Sequence, residues 1–219
     1  MTDTGLTLYG YWRSSAAYRV RIALHLKALA FASVPVHLLR DGGEQHAPPH
    51  AARNPQQLVP VLRHGERMLT QSLAIIEYLD EVFPASPLLS SDPIARHRAR
   101  ALAQLVACDI HPLGNLRVLQ FLEREWEIDP AGRARWIGRW VADGLAAFET
   151  LLGEAPEAGR FCVGDAPGLA DCALVPQLYN ARRFGIELAP YPRILAIEAA
   201  CLTMPAFAAA RPEAQPDAA

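Results

Sequence analysis

The sequence has few of the features that mark disulfide-rich, metal-binding, nucleic-acid-binding or membrane proteins. Only four cysteines occur in 219 residues, and none forms a CxxC pair, which favours buried, reduced thiols in a cytoplasmic protein. Only two of the seven histidines, His46 and His50, lie at HxxxH spacing, and we expect no metal site. A formal net charge of −2 provides no basic field for nucleic acid. No apolar run reaches membrane-spanning length, and we expect no signal peptide.

What the sequence does contain is an alternation of strand and helix in its first third. A β-like run at 6–12 precedes a helical pattern at 15–27, in which apolar residues recur every three or four positions. A second strand is predicted at 31–38, where Pro35 favours a sheet edge because proline cannot donate to a ladder. Residues 40–54 are polar and rich in Gly, Pro and His, which predicts a loop or an irregular helix.

A hairpin and a second helix complete this first part. Apolar strands at 57–62 and 68–70 flank the turn residues 64–66, and a helical pattern over 72–82 stops at Pro84. A parallel βαβ crossover is therefore followed by a ββα unit. This order predicts a small α/β domain of the thioredoxin type.

The rest of the chain is predicted to be helical. The turn-rich segment 85–92 reads as a linker between a first domain over 1–84 and a second domain over 93–219. The final residues, 209–219, are polar and rich in proline, which predicts a loose tail. The helices predicted in the second domain are 93–108, 112–126, 130–152, 169–183 and 192–200.

Two adjacent serines, Ser14 and Ser15, stand where the first helix is predicted to begin. Serine is a preferred N-cap because its oxygen accepts a hydrogen bond from a free amide of the first turn. A helix N-terminus also carries partial positive charge and free N–H donors, and Arg13 adds a full charge beside it. The pattern predicts an anion site, although an ordinary serine-capped helix without a ligand explains the same residues.

Two further signals lie in the predicted hairpin and second helix. Pro60 interrupts a short apolar strand, and a cis Val59–Pro60 peptide would leave the Val59 backbone free to pair with a peptide ligand. A plain edge-strand proline is the alternative. Gln71 and Ser72 open the second helix and are suited either to hold a carboxylate or simply to cap the helix. Together with the serines, these positions predict a pocket for a small acidic peptide.

Five segments of the sequence resemble the zeta class of cytosolic glutathione transferases. They span both predicted domains, and the last two are the most specific to the class. The resemblance implies a thioredoxin-like glutathione-binding domain over 1–84 followed by an all-helical domain, which is the cytosolic glutathione transferase fold. The segments are RSSAAYRVRIAL at 13–24, NPQQLVP at 54–60, QSLAIIEYL at 71–79, DIHPLGN at 109–115 and DCALVPQ at 171–177.

The resemblance implies a cytoplasmic homodimer that uses glutathione as a cofactor without consuming it. Members of the class convert a cis maleyl keto-acid, maleylacetoacetate or maleylpyruvate, to its fumaryl isomer during the breakdown of aromatic amino acids or gentisate. In that chemistry a thiolate adds reversibly to the double bond, which then rotates. Two other functions are consistent with the fold. One is a general glutathione transferase that conjugates or dehalogenates small electrophiles, and the other is a non-catalytic glutathione-binding protein.

The resemblance also assigns roles to individual residues. Ser14, ranked first, and Ser15 are implied to keep the glutathione sulfur ionised, because a hydroxyl donor at a helix N-terminus lowers a thiol pKa. Arginines suit a substrate with two carboxylates and a developing enolate. The implied sets are Ser14, Ser15 and Arg13 for catalysis; Ser14, Ser15, Gln45, Val59, Gln71, Ser72, His111 and Asn115 for glutathione; and Arg13, Arg117 and Arg182 for the substrate, with Arg183 as the competitor of Arg182.

Tyr9 and Tyr11 offer a rival hydroxyl, since other transferase classes use a tyrosine near the first strand, but the paired serines argue against it. Two positions depart from the zeta pattern. Ala16 stands where a cysteine is usual, so any role of that thiol is absent, although isomerisation needs only the sulfur of glutathione. Gly168 stands where Ser or Thr usually caps a helix. We expect folding to survive because Asp171 can still reach back to an N-terminal amide.

Overall fold

The chain folds into two compact units, and the computed structural model describes residues 4–154 and 158–218. Unit 1 comprises the residues up to Leu88 together with those from Leu202 onward. Unit 2 comprises Leu89–Cys201. The N-terminal part of unit 1 supplies a β-sheet, and its C-terminal part adds one more helix, whereas the described residues of unit 2 form helices and connecting turns.

Unit 1 contains a four-stranded mixed sheet. Its strands are β1 (Leu6–Gly10), β2 (Ala32–Pro35), β3 (Val61–His64) and β4 (Arg67–Thr70). Their order across the sheet is β2-β1-β3-β4. β1 pairs in parallel with β2 and antiparallel with β3, and β3 forms a hairpin with β4. The predicted βαβ-ββα order is confirmed, and Pro35 lies on an edge strand as predicted.

The register of the sheet brings four chain segments to one side. Gly10 at the end of β1 pairs with Pro35 at the end of β2. Tyr9 pairs with Val61 at the start of β3, and Val61 pairs with Thr70 at the end of β4. The residues that follow β1, β2 and β4 therefore lie beside the residues that precede β3. We call this side of the sheet the loop edge.

Four α-helices complete the described part of unit 1. Numbered in chain order, they are α1 (Ser15–Leu26), α2 (Pro48–Arg53), α3 (Ser72–Val82) and α9 (Pro205–Ala210). α1 buries Ala17, Val20 and Leu24 completely, at the three- and four-residue spacing from which the helix is predicted. α2 is a regular helix within a segment that the sequence predicts as a loop or an irregular helix.

The end of the chain differs from two expectations, a helical domain over 93–219 and a loose tail over 209–219. Helix α9 packs against α1, and a 3₁₀ turn follows at Pro212–Ala214. Phe207 and Ala210 are completely buried. The polar, proline-rich composition favours a disordered tail. The free energy gained by burying these apolar side chains exceeds the conformational entropy that such a tail would keep.

Unit 2 is built on five helices within its described residues. They are α4 (Pro93–Gln104), α5 (Leu116–Glu125), α6 (Pro130–Glu154), α7 (Leu169–Arg183) and α8 (Pro192–Leu202). α7 has the predicted bounds. α5 begins later than predicted, because α4 runs on through a π-helical turn at Leu105–Ile110 into a 3₁₀ turn at His111–Gly114. No helix in the described part of the chain has the length and apolar character needed to cross a bilayer.

His25, in the last turn of α1, is expected to make the stability of the protein depend on pH. Burial, and then the charge of Arg21, lower the pKa of His25 below its ordinary value of 6.5. Below that value the unfolded chain binds a proton that the folded chain resists, so the free energy of unfolding falls as the pH falls. When measured by urea unfolding between about pH 7 and about pH 5, the free energy of unfolding of His25→Gln should depend less on pH than that of the wild type. The exposed His97→Gln serves as control, and an equal effect of both changes would contradict the assignment.

Candidate active site

Ser14 caps α1 at the loop edge. Its Oγ accepts a hydrogen bond from the amide of Ala17 (3.2 Å), and its own amide donates to Tyr11 O (2.9 Å). The hydroxyl proton of Ser14 is thereby left to donate elsewhere. The first-turn amides of Ser15 and Ala16 have no partner among the described residues. A hydroxyl and two amides thus converge at the positive end of a helix, which is a set of donors for an anion.

Arg13 places a cation directly before this helix start. Its guanidinium carbon lies 4.9 Å from the centroid of the Trp12 ring, a cation–π contact. One terminal nitrogen donates to the hydroxyl of Tyr11 (3.4 Å). Its Nε is buried and binds no other described group. Arg13 is therefore held in one orientation while it keeps hydrogen-bonding capacity for a carboxylate or an enolate.

The two tyrosines that compete with the serines are packed into unit 1. Tyr9 is 8% exposed and lies in a cluster with Val36 and Val61. Tyr11 is 5% exposed, its ring lies edge-on to His37, and its hydroxyl accepts from Arg13. Both side chains have structural contacts, which agrees with the packing role that the sequence offers as their alternative.

Val59 presents a free backbone at the start of β3. The Val59–Pro60 peptide bond is cis, the first of the two alternatives that the sequence left open. Ladder pairing begins only at Val61, and within the described chain neither backbone group of Val59 has a hydrogen-bond partner. The preceding carbonyl, of Leu58, is fixed by the side chains of Asn54 (2.9 Å) and His50 (3.0 Å). Val59 can therefore pair with a peptide that lies along the loop edge.

Gln71 and Ser72 form a second helix start at the same edge. Gln71 has a φ of +67°, a conformation that is uncommon outside glycine and that is enriched at functional sites. Its side chain does not cap α3; its Nε2 donates to Gln56 Oε1 instead (2.8 Å). Ser72 Oγ accepts from the buried Arg19 (3.2 Å), so its proton is free to donate. An uncapped helix start beside an arginine favours a carboxylate.

Gln45 adds an orphaned polar atom near the end of β2. It lies in the 3₁₀ turn Glu44–His46 and is 7% exposed. Its Nε2 donates to Leu38 O (3.4 Å), but its Oε1 is buried and accepts no hydrogen bond from the described residues. A buried acceptor without a donor is costly, and an N–H group of a bound peptide would satisfy it.

The groups predicted for glutathione in unit 1 fit a small acidic peptide. The loop edge brings together the donors of Ser14, the free backbone of Val59, the uncapped start of α3 and the orphaned acceptor of Gln45. These groups supply sites for an anionic sulfur, an extended backbone and a carboxylate. Ser15 is buried in the first turn of α1. Its amide, and not its hydroxyl, joins the Ser14 hydroxyl among the donors at the start of this helix.

The other predicted residues belong to unit 2. His111 opens a 3₁₀ turn, and Asn115 caps α5 by accepting from the amide of Arg117 (3.2 Å). Arg117 itself is exposed on α5. The fold of unit 2 explains why Asn115 suits its place, and the roles of His111, Asn115 and Arg117 toward ligands remain predictions.

Arg182 already has a partner within unit 2. Its two terminal nitrogens donate to the two carboxylate oxygens of Glu198, each at 2.5 Å. The Glu198 side chain is 6% exposed and that of Arg182 is 49% exposed. The hydrogen bonds and charge of Glu198 raise the pKa of Arg182 further. The guanidinium therefore balances a buried carboxylate, whatever else it contacts.

Replacing Arg182 by methionine is expected to lower the free energy of unfolding by about 1–2 kcal/mol, because Glu198 loses its counter-charge. The loss is smaller than for a fully buried pair because the Arg182 side chain is half exposed. Arg183→Met is the matched control, because Arg183 is the exposed neighbour of Arg182, and the loss of its stacking on the ring of Phe184 (4.7 Å) should cost only about 0.5 kcal/mol. Urea unfolding measures both. If substrate KM rises in Arg182→Met but not in Arg183→Met, Arg182 and not Arg183 is the residue that binds the substrate.

Sequence reasoning missed several residues that support the site. Arg19 donates a hydrogen bond to Ser72, and Gln56 accepts one from Gln71. Arg21 and Asp217 bind the backbone just before Ser14. One signal was present: Arg19 and Arg21 occupy turns of α1 whose other residues are apolar, and both are nearly inaccessible to water. A buried arginine needs acceptors, and so points to a polar network.

Sequence models of one family match most of the chain. The model described as the N-terminal domain of glutathione S-transferase matches residues 8–87, and the C-terminal domain of the same family matches residues 130–197. The chain belongs to the glutathione S-transferase family. This glutathione S-transferase is 52% identical over 213 residues to maleylacetoacetate isomerase of Pseudomonas aeruginosa, covering 97% of this chain and 98% of that protein. It is 48% identical over 215 residues to maleylpyruvate isomerase of Ralstonia sp, covering 98% and 100%.

Solved structures place the transferase in the zeta class. A holo structure of maleyl pyruvate isomerase, described as a bacterial glutathione S-transferase of the zeta class, superposes with a TM-score of 0.94 at 47% identity, covering 97% of this chain and 100% of that one. A maleylacetoacetate isomerase from Methylobacterium extorquens AM1, solved with bound malonate and glutathione, gives a TM-score of 0.93 at 44% identity, covering 97% and 99%. The resemblance to the zeta class and the expected transferase fold are confirmed.

Proposed function

We propose that this glutathione S-transferase is a glutathione-dependent cis–trans isomerase of maleyl keto-acids. The observation that carries the proposal is the start of α1, where the Ser14 hydroxyl and two free amides adjoin the oriented cation Arg13. This arrangement suits an anionic sulfur next to a substrate that gains negative charge. Relatives at about half identity that carry isomerase names support the same reaction.

The proposed glutathione contacts follow from the free groups of unit 1. The backbone of Val59 pairs with the peptide, Gln71 and Ser72 bind its terminal carboxylate with Arg19 behind them, and Gln45 accepts an N–H. From the resemblance we add His111 and Asn115 to the glutathione contacts. A neighbouring structure that contains both glutathione and the dicarboxylate malonate supports a site for the two kinds of ligand.

When bound, glutathione supplies a thiolate that adds reversibly to the double bond of the substrate. The role of the chain is to keep that sulfur ionised and to neutralise the charge that develops on the substrate. Ser14 and the amides of Ser15 and Ala16 donate to the anion, which lowers a thiol pKa. Arg13 faces the growing negative charge of an enolate and is oriented before the substrate arrives. We propose Arg117 and Arg182 as further ligands of the substrate carboxylates.

The decisive test counts turnovers per glutathione. The protein is mixed with glutathione and, in separate reactions, maleylpyruvate or maleylacetoacetate; absorbance follows the substrate and thiol titration follows glutathione. We expect both substrates to be converted with glutathione unchanged, and their relative rates identify the better one. Stoichiometric loss of glutathione would instead indicate a conjugating transferase, and binding without conversion would indicate a glutathione-binding protein.

We also propose a cytoplasmic homodimer. The support is the resemblance to the zeta class, together with four cysteines that are all free thiols, as expected in a reducing compartment. Three of them are buried as predicted, whereas Cys108 is exposed. Sedimentation at micromolar concentration tests the assembly, and a monomer would contradict it.

A further inference from the structure

The last residues of the chain bind the loop that carries Arg13 and Ser14. A carboxylate oxygen of Asp217 accepts a hydrogen bond from the amide of Trp12 (3.0 Å). Asp217 follows α9 and its 3₁₀ turn within unit 1. The contact joins residues that are 205 positions apart, and it places the chain end directly before the candidate catalytic residues.

Arg21 makes a second connection between the same two segments. It is 3% exposed, and its guanidinium donates to three carbonyls: Ala210 O (3.0 Å) at the end of α9, and Trp12 O (2.9 Å) and Tyr11 O (3.5 Å) in the loop. Burial lowers the pKa of Arg21 to about 10, and the negative charge of Asp217 is among the influences that oppose the fall. Asp217 therefore serves both as an acceptor for Trp12 and as a counter-charge for Arg21.

The peptide units around Trp12 are consequently held from two directions. Asp217 binds the amide of Trp12 and Arg21 binds its carbonyl. The Trp12 ring supports the guanidinium of Arg13. The amide of Ser14 donates to Tyr11 O, which Arg21 also binds. The orientation of Arg13 and the position of Ser14 thus both depend on a backbone segment that the chain end fixes.

We propose that Asp217 is a positioning residue for the reaction, which holds the loop through the amide of Trp12 in the conformation that aims Arg13 and Ser14 at their ligands. The inference rests on the proposed isomerase function. In this proposal Asp217 acts through the loop and not by contact with substrate or glutathione. A misplacement of reacting groups by about 1 Å can lower a rate by about 10²-fold.

Three variants and a control test the proposal. Asp217→Ala removes the acceptor and the charge, Asp217→Asn keeps an oxygen acceptor without the charge, and a chain that ends at Gln215 removes the segment. Glu81→Gln, an exposed acid on α3, is the matched control. We expect kcat/KM for the maleyl keto-acid to fall about tenfold in Asp217→Ala and in the truncated chain, and to recover to within about threefold of wild type in Asp217→Asn.

Two readouts separate positioning from a merely structural role. The acidic limb of the pH profile of kcat/KM should move to higher pH in Asp217→Ala, because the thiolate loses the aligned donors of the loop. The Kd of glutathione by calorimetry should change less than about twofold, since most of its proposed contacts lie elsewhere on the loop edge. An unchanged rate and pH profile, or no recovery with asparagine, would overturn the proposal.

Hydrogen exchange distinguishes failure of this proposal from failure of the proposed function. The amide of Trp12 should lose protection in Asp217→Ala while the β3–β4 ladder keeps it. If the wild-type protein isomerised no maleyl keto-acid, the proposed function would fall, and the exchange result would still decide whether Asp217 holds the loop. Loss of protection with unaltered kinetics would leave the isomerase intact and refute the positioning role.

Discussion

Isomerase activity is expected to fall by at least about 100-fold when Ser14 and Ser15 are both replaced by alanine. Ser14 Oγ is fixed by the amide of Ala17, which leaves the hydroxyl proton available to donate to an anion. Removing such a preorganised donor from a developing or bound anion typically costs about 10²–10³ in rate. The backbone amides of residues 15 and 16 are unchanged by the substitutions, and we expect them to account for the activity that remains.

The kinetic measurement needs a stability control, because Ser14 is also the N-cap of α1. Loss of that cap is worth about 1 kcal/mol, which urea unfolding reports independently. Ser14→Thr keeps a hydroxyl and a good cap, and it should retain most of the activity. The double alanine variant should shift the acidic limb of the pH profile to higher pH, since a thiol without O–H donors ionises less readily. Full activity in that variant would reject the serines as the groups that stabilise the thiolate.

The second large effect is on stability. Asp171→Ala is expected to lower the free energy of unfolding by about 3 kcal/mol, because it leaves two amide groups without acceptors. The carboxylate of Asp171 is 1% exposed, and its oxygens accept from the amides of Cys162 (3.0 Å) and Gly168 (2.9 Å). These bonds fix the start of α7, where Gly168 has no side chain with which to cap the helix. Asp171 therefore reaches back to an N-terminal amide, as the sequence predicts.

The variant Asp171→Asn shows whether the charge or the acceptor matters. Burial raises the pKa of Asp171, and the hydrogen bonds from Cys162 and Gly168 oppose the rise without cancelling it. The surroundings thus do not favour the charge itself, and an uncharged acceptor should recover part of the loss. Gly168→Ser is the control, with an expected change of only a few tenths of a kcal/mol. Urea unfolding measures all three, and equal stability of Asp171→Ala and wild type would contradict the assignment.

The parts of the fold that the sequence predicts are those that local chemistry specifies. Hydrophobic periodicity locates α1 and α7, and the missing amide of Pro35 identifies an edge strand. Ser14 is recognisable as a cap because its partner lies three residues away. Each of these features depends on near neighbours, so one stretch of sequence contains the whole cause.

Long-range partners explain what the sequence does not predict. Glu198 binds Arg182 across 16 positions, and Asp217 binds Trp12 across 205; neither pairing leaves a local pattern. The end of the chain is the clearest case. Its composition resembles that of a disordered tail, yet Phe207, Ala210 and Pro212 are buried. Helix α9 packs against α1, which lies far away in the sequence.

That arrangement has a consequence for biosynthesis. Unit 2 is one continuous stretch, Leu89–Cys201, whereas unit 1 needs residues from Leu202 onward. On the ribosome, the sheet and α1 are translated before unit 2, whereas α9, which packs against α1, is translated after it. Unit 1 therefore cannot complete its packing until the residues from Leu202 onward have left the ribosome. The loop that carries Ser14 gains the support of Asp217 only at that stage.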